Sequence, residues 1–389
     1  MKNEYIVQIA NGAETSVMNK TIRNHPPGEG RTISFSPGSI PASAVLLLLL
    51  FFSFFFFAGC RQTLPQPVTE NDFALGTTCS IKLFGAEYRR LLQPALDIAG
   101  EVEQRMSVHL PESEINLINE KAGSGTVEVS AETYSLIQRA YYFSELSGGV
   151  FDLTVGPLVA LWDIGSGNEK VPAPEALSAA LERVNYEEMV FDPGKKRIGL
   201  SRPGMRIDLG AIAKGYAADR IVEFLRSEGV PYGILNLGGN VYAFGEKAGS
   251  EAWKIGIQSP EDDRGRYIGI LEARDTAVVT SGKYERFFLS GGKRYHHILN
   301  TGDGFPVENG LASVSIVSSD ATAADALSTL VFGLGLEEGL RMSEELQGVE
   351  AIIITENRTV YTTSGLRDRF TLSDKDYRRG ETRHVLGGE

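Results

Sequence analysis

The stretch IDLGAIAKGYAADRIVEFLRSEG, residues 207–229, decides the fold. Its second residue is acidic, apolar and small residues follow at helical spacing, and the stretch stops at Gly229, with Pro231 beyond. Asp208 stands where a helix N-cap belongs, and glycine followed by proline is typical of the end of a helix. We predict a helix here, with Asp208 at its N-terminus and Lys214 two turns in, and with strands before and after it.

The segments on either side of this helix read as short strands and as further helices. The predicted strands lie at 73–84, at two short stretches within 189–200, and at 232–237, 240–244, 253–258, 267–273, 276–281, 312–318, 350–355 and 358–362, with a hairpin over 284–299. The predicted helices lie at 86–106, 131–146, 174–183 and 321–346. Strands that alternate irregularly with helices indicate an α+β fold, with a mixed β-sheet core flanked by helices.

Composition excludes several classes of protein. The 389 residues carry 38 basic and 50 acidic side chains, a formal net charge of −12. Because a basic patch and nucleic-acid motifs are missing from the sequence, nucleic acid is not an expected partner. Two cysteines, Cys60 and Cys79, are too few for a disulfide framework or a cysteine-based zinc site.

The N-terminal region reads as a targeting segment. Residues 42–58 form one apolar run, and the sequence FAGC (57–60) closes this region, with Cys60 two residues beyond the end of the run. Small residues just before a cysteine resemble a bacterial lipobox, so we expect residues 1–60 to be a signal peptide and lipoprotein anchor, with Cys60 lipidated. A simple uncleaved anchor is the alternative. In either case the rest of the chain would lie outside the cytoplasm, held to the outer (periplasmic) face of the bacterial inner membrane.

The exported part divides into three stretches. Residues 61–71 are polar with two prolines and are predicted to be a tether. Residues 72–365 hold all the predicted helices and strands and form the expected catalytic domain. Residues 366–389 are predicted to be a polar C-terminal tail, since chain ends without apolar periodicity are commonly loose.

Two segments mix special backbone residues with an acid or a lysine. In GGVFDLTVGPLVALW, residues 148–162, a flat ring could lie against the backbone while Asp152 accepts a hydrogen bond from it; a turn capped by Asp152 is the alternative. The helix that follows Asp208 could attract an anion to its N-terminus, and Lys214 could add a charge to a phosphate. Alternatively, Asp208 only caps the helix and Lys214 is solvated.

Two further segments carry a histidine and a possible metal pair. His297, in YHHILNTGDGFPVENG (295–310), could act as a base near neutral pH, or could belong to an ordinary surface turn. Asp325 and Thr329 are four residues apart and share one helix face. Both offer hard oxygen ligands of the kind Mg²⁺ prefers, although each also has an ordinary role in a helix.

Taken in order, these segments resemble the ApbE family, the FAD:protein FMN transferases, over residues 72–365. The matching motifs are LGTTCSI (75–81), RMS (105–107), FDLTVGPLVALW (151–162), IDLGAIAKGYAAD (207–219), LNLGGNVYAFG (235–245), TSGKYERFF (280–288), HILNTGDGFP (297–306) and ATAADALSTLVFGLG (321–335). The ordered set is far more specific than any one of its motifs. Members of the family are often lipoproteins, which agrees with the position of Cys60.

The resemblance implies a set of site residues. FAD contacts are implied for Leu75, His109, Val150, Phe151, Asp152, Asp208, Lys214 and Leu299. Mg²⁺ is implied on Asp325, Thr329 and the backbone oxygen of Ala211, and His297 is implied as the group that helps deprotonate the acceptor. The chain departs from the family pattern in having Leu75 in place of Met, His109 in place of Tyr, and Asn300-Thr301 in place of Asp-Pro.

The implied activity is Mg²⁺-dependent transfer of FMN from FAD to a threonine hydroxyl of an exported acceptor protein, with release of AMP. The acceptor would be a redox protein carrying a threonine motif close to D-x-x-T-x-A-T. Two alternatives stay open: an FAD pyrophosphatase that gives FMN and AMP, and a non-catalytic FAD-binding lipoprotein. A redox flavoprotein is disfavoured, because a dinucleotide fingerprint is missing from the sequence.

Overall fold

The computed structural model describes residues 6–8, 65–247, 251–262 and 265–387, and the elements below are those of this part of the chain. The strands are β1 (Ile6–Gln8), β2 (Pro67–Ala74), β3 (Thr77–Phe84), β4 (Thr126–Glu128), β5 (Met189–Asp192), β6 (Arg197–Leu200), β7 (Gly233–Leu237), β8 (Asn240–Phe244), β9 (Trp253–Gln258), β10 (Tyr267–Ala273), β11 (Thr276–Gly282), β12 (Phe287–Ser290), β13 (Lys293–His296), β14 (Leu311–Ser318), β15 (Val349–Thr355), β16 (Thr359–Thr362), β17 (Phe370–Leu372) and β18 (Arg378–Arg379). The α-helices are α1 (Arg89–Met106), α2 (Glu114–Glu120), α3 (Ala131–Leu146), α4 (Gly156–Trp162), α5 (Pro174–Leu181), α6 (Ala213–Ser227), α7 (Ala321–Leu334), α8 (Leu336–Glu345) and α9 (Thr382–Val385).

The largest sheet of the described residues has nine strands, in the order β18-β16-β15-β14-β11-β8-β7-β3-β2. Its neighbouring strands run antiparallel except β16 and β18, which run parallel. Smaller sheets have the orders β1-β9-β10-β17, β4-β6-β5 and β12-β13. This mixed sheet with flanking helices confirms the predicted α+β class.

A layer of helices covers the centre of the large sheet. Helix α7 packs on β11 and β14 and also against α6, which in turn packs on α1. Every side chain of β14 is buried, because this central strand is covered on both faces. Asp219 of α6 accepts hydrogen bonds from the Ala321 and Thr322 N–H groups at 2.9 and 2.8 Å, so one helix caps the other.

Helix α6 begins later than the sequence indicated. Asp208 does not cap it: its Oδ1 accepts from the Gly210 N–H at 2.7 Å, and the helix begins at Ala213. Lys214 therefore lies in the first turn and not two turns in. The predicted end at Gly229 is confirmed, because this residue has φ 78° and its N–H donates to the Arg226 carbonyl.

Three other predicted elements are divided or redrawn. The helix predicted over 321–346 is two helices, because Gly335 adopts φ 86° and ψ −172° between them. Gly156 and Pro157 begin helix α4, in the segment 148–162 for which the sequence predicted no helix. The strand predicted over 73–84 is the second half of a hairpin, whose two-residue turn is Leu75-Gly76, both with positive φ.

The tether and the tail also prove to be shorter than predicted. Residues 67–71 belong to β2, and they pair with residues 80–84 of β3 in an antiparallel ladder. In the predicted tail, β17 pairs with β10, and Phe370 and Tyr377 are buried. The predicted anchor and Cys60 lie outside the described residues. None of the helices in the described part is long and apolar enough to cross a membrane.

Candidate functional site

The contact between α6 and α7 creates the centre of the site. Gly215 allows the two helices to approach closely: a Cβ at this position would lie 2.1 Å from the Ala321 carbonyl oxygen and 2.7 Å from the Asp325 Cβ. Backbone and Cβ atoms leave no room for a larger residue. The close approach therefore holds Asp325 against the first turn of α6.

Asp325 is a buried carboxylate, 3% exposed, with a complete set of neighbours. Its Oδ1 accepts a hydrogen bond from Asn240 Nδ2 at 2.9 Å and lies 3.5 Å from Lys214 Nζ. Its Oδ2 accepts from the Gly215 N–H at 2.9 Å. These donors compensate the burial of the charge, which would otherwise be strongly unfavourable. Asn240 joins the site although the sequence did not identify it as a site residue.

The predicted metal ligands besides Asp325 are the Ala211 carbonyl and the Thr329 hydroxyl. Because the Gly215 N–H donates to Asp325, it is diverted from the Ala211 carbonyl, the acceptor that regular helix geometry would give it. Thr329 lies one turn beyond Asp325 on α7, and its Oγ1 is 3.2 Å from Ser281 Oγ. Carboxylate, carbonyl and hydroxyl oxygens are the ligands that Mg²⁺ prefers.

The described residues contain no group of three or more His, Cys, Asp or Glu that could hold a metal by itself. A metal at Asp325 would therefore depend on the hydroxyl of Thr329, the carbonyl of Ala211, water and oxygen atoms of the substrate. Mg²⁺ is commonly bound in this way, by one or two carboxylates together with substrate phosphates. The residues present thus fit the predicted ligand set.

His297 follows β13 and is fixed by the chain opposite it. Its N–H donates to the Arg286 carbonyl at 3.1 Å, and its Nδ1 lies 3.2 Å from the same oxygen. Since a carbonyl can only accept, Nδ1 carries the proton and Nε2 keeps its lone pair. Burial, and then the positive charge of Arg286, lower the pKa of the His297 imidazole, so the half-buried ring is neutral at physiological pH.

The adjacent histidine has a structural role. His296 is buried; its Nδ1 accepts from the Ile298 N–H at 3.3 Å, and its Nε2 lies 3.0 Å from the Val307 carbonyl. The two ring nitrogens are therefore both occupied by the backbone. Burial lowers the pKa of His296 as well. His297 is thus the histidine of the pair that has a free ring nitrogen.

Asp152 organises a loop beside α7. It is buried and accepts from the Thr154 N–H and Oγ1, each at 2.7 Å, and from the Tyr186 N–H at 3.1 Å. Burial raises the pKa of the Asp152 carboxyl, and the hydrogen bonds from Thr154 oppose that shift. The structure therefore shows the capped turn that was the alternative for this residue, while its predicted contact with FAD stays a prediction.

Contacts with neighbouring loops and with α7 position the other residues near Asp152 that are predicted to bind FAD. Thr301, one of the departures from the family pattern, donates its hydroxyl proton to the Gly149 carbonyl at 2.7 Å. Val150 lies against α7, since a Cβ on Gly333 would be 2.6 Å from its Cγ1. Phe151 is buried, and Leu299 is half-buried and bridges to Pro306.

The segment around Asp208 is joined to the same loop. The Asp208 N–H donates to the Leu153 carbonyl at 2.9 Å. Asn119 of α2 clamps the preceding residue: its Nδ2 donates to the Ile207 carbonyl at 3.0 Å, and its Oδ1 accepts from the Ile207 N–H at 2.6 Å. Lys214 Nζ also donates to the Gly210 carbonyl at 3.3 Å. The structure therefore brings Lys214 together with Asp325, and Asp208 together with the Asp152 loop.

Two predicted contacts lie at the edge of this arrangement. Leu75 is at the tip of the β2–β3 hairpin with φ 55°, and the neighbouring Gly76 lies close to Arg286. His109 is exposed in the turn after α1, where its N–H donates to Ser107 Oγ at 3.2 Å. Hydrogen bonds among the described residues do not link His109 to the rest of the site, so its role rests on the resemblance.

Comparison with known proteins identifies the family. The model of the ApbE family matches residues 75–353, which is most of the chain. The chain belongs to the ApbE family. All the residues predicted to bind metal, together with His297, lie within the matched region.

Relatives in the ApbE family match over nearly their whole length. A Klebsiella pneumoniae protein named FAD:protein FMN transferase is 38% identical over 303 residues, which cover 78% of this chain and 94% of the relative. A Treponema pallidum protein of the same name is 35% identical, over 78% and 88%. The crystal structure of the ApbE protein of Thermotoga maritima matches with a TM-score of 0.73 and 35% identity, over 78% and 99%. The flavin transferase ApbE of Vibrio cholerae matches with a TM-score of 0.70 and 28% identity, over 78% and 99%.

The cysteine of the ApbE domain is not a candidate for chemistry. Cys79 lies on β3, is fully buried, and its Sγ donates weakly to the Ala74 carbonyl at 3.5 Å. Burial raises the pKa of the thiol to about 11, so the thiolate is not formed at neutral pH. Chemistry in this family member is therefore expected from the oxygen ligands, Lys214 and His297.

Proposed function

We propose that this ApbE-family chain transfers the FMN half of FAD to a threonine hydroxyl of an acceptor protein, with AMP as the leaving group. The chain is a transferase by its membership of a family whose relatives are named FAD:protein FMN transferases. One observation of the structure carries the assignment: a buried carboxylate, Asp325, on a helix whose other buried residues are mainly apolar. Because a buried charge is strongly unfavourable without polar partners, a carboxylate held by Lys214, Asn240 and the Gly215 N–H indicates a functional site.

The proposal assigns a divalent metal, Mg²⁺, to Asp325, Thr329 and the Ala211 carbonyl oxygen. When bound, such an ion would offset the charge of the phosphates in phosphoryl transfer. The donor set supports the assignment, because it consists of hard oxygens. Lys214, paired with Asp325, is placed to add its ammonium charge to the same phosphates.

The remaining residues have separate roles in the proposed reaction. Nε2 of His297 accepts the proton of the threonine hydroxyl as its oxygen attacks the FMN phosphorus. A new oxygen–phosphorus ester bond forms, the bond between that phosphorus and the bridging oxygen breaks, and AMP leaves with the bonding electron pair. Because the Arg286 carbonyl fixes Nδ1, the imidazole presents its free nitrogen in one orientation.

The proposed transfer is tested by weighing an acceptor peptide. The full chain, purified in detergent, is mixed with FAD, Mg²⁺ and a peptide that carries the motif D-x-x-T-x-A-T. We expect the peptide to gain one FMN phosphoryl unit, and EDTA to abolish the gain. A peptide with both threonines replaced by valine is the control. An unmodified peptide together with FMN and AMP would instead indicate the pyrophosphatase, and intact FAD would indicate a binding protein.

The proposed base predicts an unusual pH profile. Because burial and Arg286 lower the pKa of His297 from 6.5, the imidazole stays neutral, and able to accept a proton, as the pH falls through 6.5. We therefore expect kcat/KM at saturating Mg²⁺ to hold steady through pH 6.5 and to fall only at lower pH. His297→Gln should lower the rate by about 10²- to 10⁴-fold, whereas His384→Gln, in the exposed α9, should not. A profile that falls around pH 6.5 in the wild type and in His297→Gln alike would exclude His297 as the base.

Export and lipid anchoring form a separate part of the proposal. They rest on the apolar run at 42–58 and on Cys60, which lies two residues beyond its end. An exported location would place the chain, on the periplasmic face of the inner membrane, beside exported redox proteins as acceptors. Intact-mass analysis of the chain from a bacterial membrane tests this part: an unmodified Cys60 on an unprocessed chain would contradict it.

A further inference from the structure

Arg286 is an exposed cation without a described partner. Its side chain forms no ion pair or hydrogen bond with the residues that the structure describes. Many other arginines of the described part are paired with carboxylates: Arg90, Arg105, Arg139, Arg197, Arg202, Arg220, Arg226, Arg266, Arg341 and Arg358. In a chain of net charge −12, a guanidinium that is not neutralised by its own protein is available for an anion.

The position of Arg286 is defined on three sides. Its Nη2 lies 3.8 Å from the point where a Cβ on Gly76 would be, and its Cδ lies 3.9 Å from the corresponding point on Gly165. Its carbonyl oxygen holds the backbone N–H and Nδ1 of His297. The side chain therefore lies beside the Leu75-Gly76 turn and the Gly165 loop, and the backbone carbonyl of the same residue contacts the proposed base.

A second cation also lowers the pKa of the His297 imidazole, to a smaller extent. The positive charges of both Arg286 and Lys214 act on His297. Lys214 is paired with Asp325 at 3.5 Å, and in the proposed function that carboxylate binds the metal. When the metal engages that carboxylate, the ammonium of Lys214 and the guanidinium of Arg286 are both available to attract the negative charge of a phosphate. The FAD pyrophosphate carries such charge, and its phosphorus is the atom attacked beside His297.

We propose that the Arg286 guanidinium binds a phosphate oxygen of the FAD pyrophosphate beside His297; this rests on the proposed function. A guanidinium presents a planar fork of N–H donors that matches a phosphate in two places at once. The backbone carbonyl of the same residue orients His297, so Arg286 fixes the position of the phosphate relative to the proposed base. Arg286 is thus a substrate-binding residue that the sequence analysis did not identify.

The test measures FAD binding without turnover. The full chain in detergent is titrated with FAD in EDTA, and the dissociation constant is read from flavin fluorescence at several NaCl concentrations. Arg286→Gln removes the charge, Arg286→Lys keeps it without the fork, and Arg294→Gln is the control. Arg294 lies on the same hairpin, exposed and stacked 4.3 Å over the Phe287 ring.

Arg286→Gln should weaken FAD binding by about tenfold or more, since the charged, forked hydrogen bonds to the phosphate are lost. Its dissociation constant should also depend less steeply on salt. Arg286→Lys should lie between it and the wild type, and Arg294→Gln within about twofold of the wild type. Circular dichroism checks that the variants are folded.

Three outcomes would overturn the assignment. The first is a dissociation constant of Arg286→Gln for FAD within twofold of that of the wild type. The second is an equal loss of FAD affinity in Arg286→Lys, with the salt dependence of the dissociation constant unchanged. The third is a change confined to the KM for the acceptor peptide. The last would place a carboxylate of the acceptor on Arg286. If the wild type binds FAD but modifies no peptide, the proposed transfer fails while the assignment of Arg286 stands. A wild type that does not bind FAD would overturn both.

Discussion

Replacing Asp325 by Asn is expected to lower metal-dependent FMN transfer by about a thousandfold or more. The amide has no charge to hold a divalent ion, and losing several kcal/mol of transition-state stabilisation corresponds to such a factor. The NH₂ group of the new side chain would also face Asn240 Nδ2 or the Gly215 N–H, both of which are donors. One buried donor left unpaired costs about 1–3 kcal/mol of unfolding free energy. Initial rates at saturating Mg²⁺ and urea unfolding measure the two effects.

Asp320→Asn is the matched control for this substitution. Asp320 begins the same helix, where its Oδ1 accepts from the Ala323 N–H at 2.8 Å. Asparagine caps a helix about as well as aspartate, and the half-exposed ion pair with Arg139 contributes little. Transfer by Asp320→Asn should stay within about twofold of the wild type. If Asp325→Asn kept its activity and lost only stability, the carboxylate would be structural and the metal assignment wrong.

Local patterns in the sequence were sufficient to predict most of the elements. Helix α3 begins and ends where we predicted, because Ser130 Oγ accepts from the Thr133 N–H and fixes its first turn. The hairpin β12–β13 turns at Gly291-Gly292, both with positive φ, as a two-residue turn requires. In each case the signal is contained within a few residues of the element, so the rest of the fold hardly alters it.

The errors come from contacts that are distant in sequence. Helix α7 is capped by Asp219, about a hundred residues earlier, as well as by its own Asp320. The C-terminal stretch was predicted to be loose because it is mostly polar. It nevertheless contains β17, which pairs with β10, a strand about a hundred residues earlier. A prediction from local patterns has no access to such partners. Asp208 was misread for a different reason, since an aspartate can equally close a turn onto its own backbone.

The site shows the same division between near and distant contacts. Asp325 and Thr329 could be paired from helical spacing, Lys214 was a candidate from its place in the predicted helix, and the resemblance added Ala211. Asn240 comes to Asp325 from a strand 85 residues earlier, and no periodicity marks it. Arg286 lies within a quoted motif, yet only the folded hairpin places its carbonyl on His297.

The close approach of α6 and α7 predicts a second large effect. Gly215→Ala would place a Cβ 2.1 Å from the Ala321 carbonyl oxygen and 2.7 Å from the Asp325 Cβ, atoms that cannot rotate away. Overpacking of this kind costs about 1–3 kcal/mol and sometimes more, and alanine regains up to about 1 kcal/mol as a better helix former. We expect the free energy of unfolding to fall by about 2 kcal/mol.

The same substitution should also reduce FMN transfer by about a hundredfold, because separating the helices moves Asp325 away from Lys214, and a shift of about 1 Å can cost that factor. Gly100→Ala is the control: it lies in α1, with nothing within 4 Å of the added Cβ, and should gain up to about 1 kcal/mol with unchanged activity. The same Gly→Ala change is thus expected to destabilise the protein in α6 and to stabilise it in α1. Urea unfolding measures the stability of each variant, and the peptide assay measures its activity. A Gly215→Ala variant as stable and as active as the wild type would mean that the helices can separate without moving Asp325. In that case a contact other than the glycine would have to position the carboxylate.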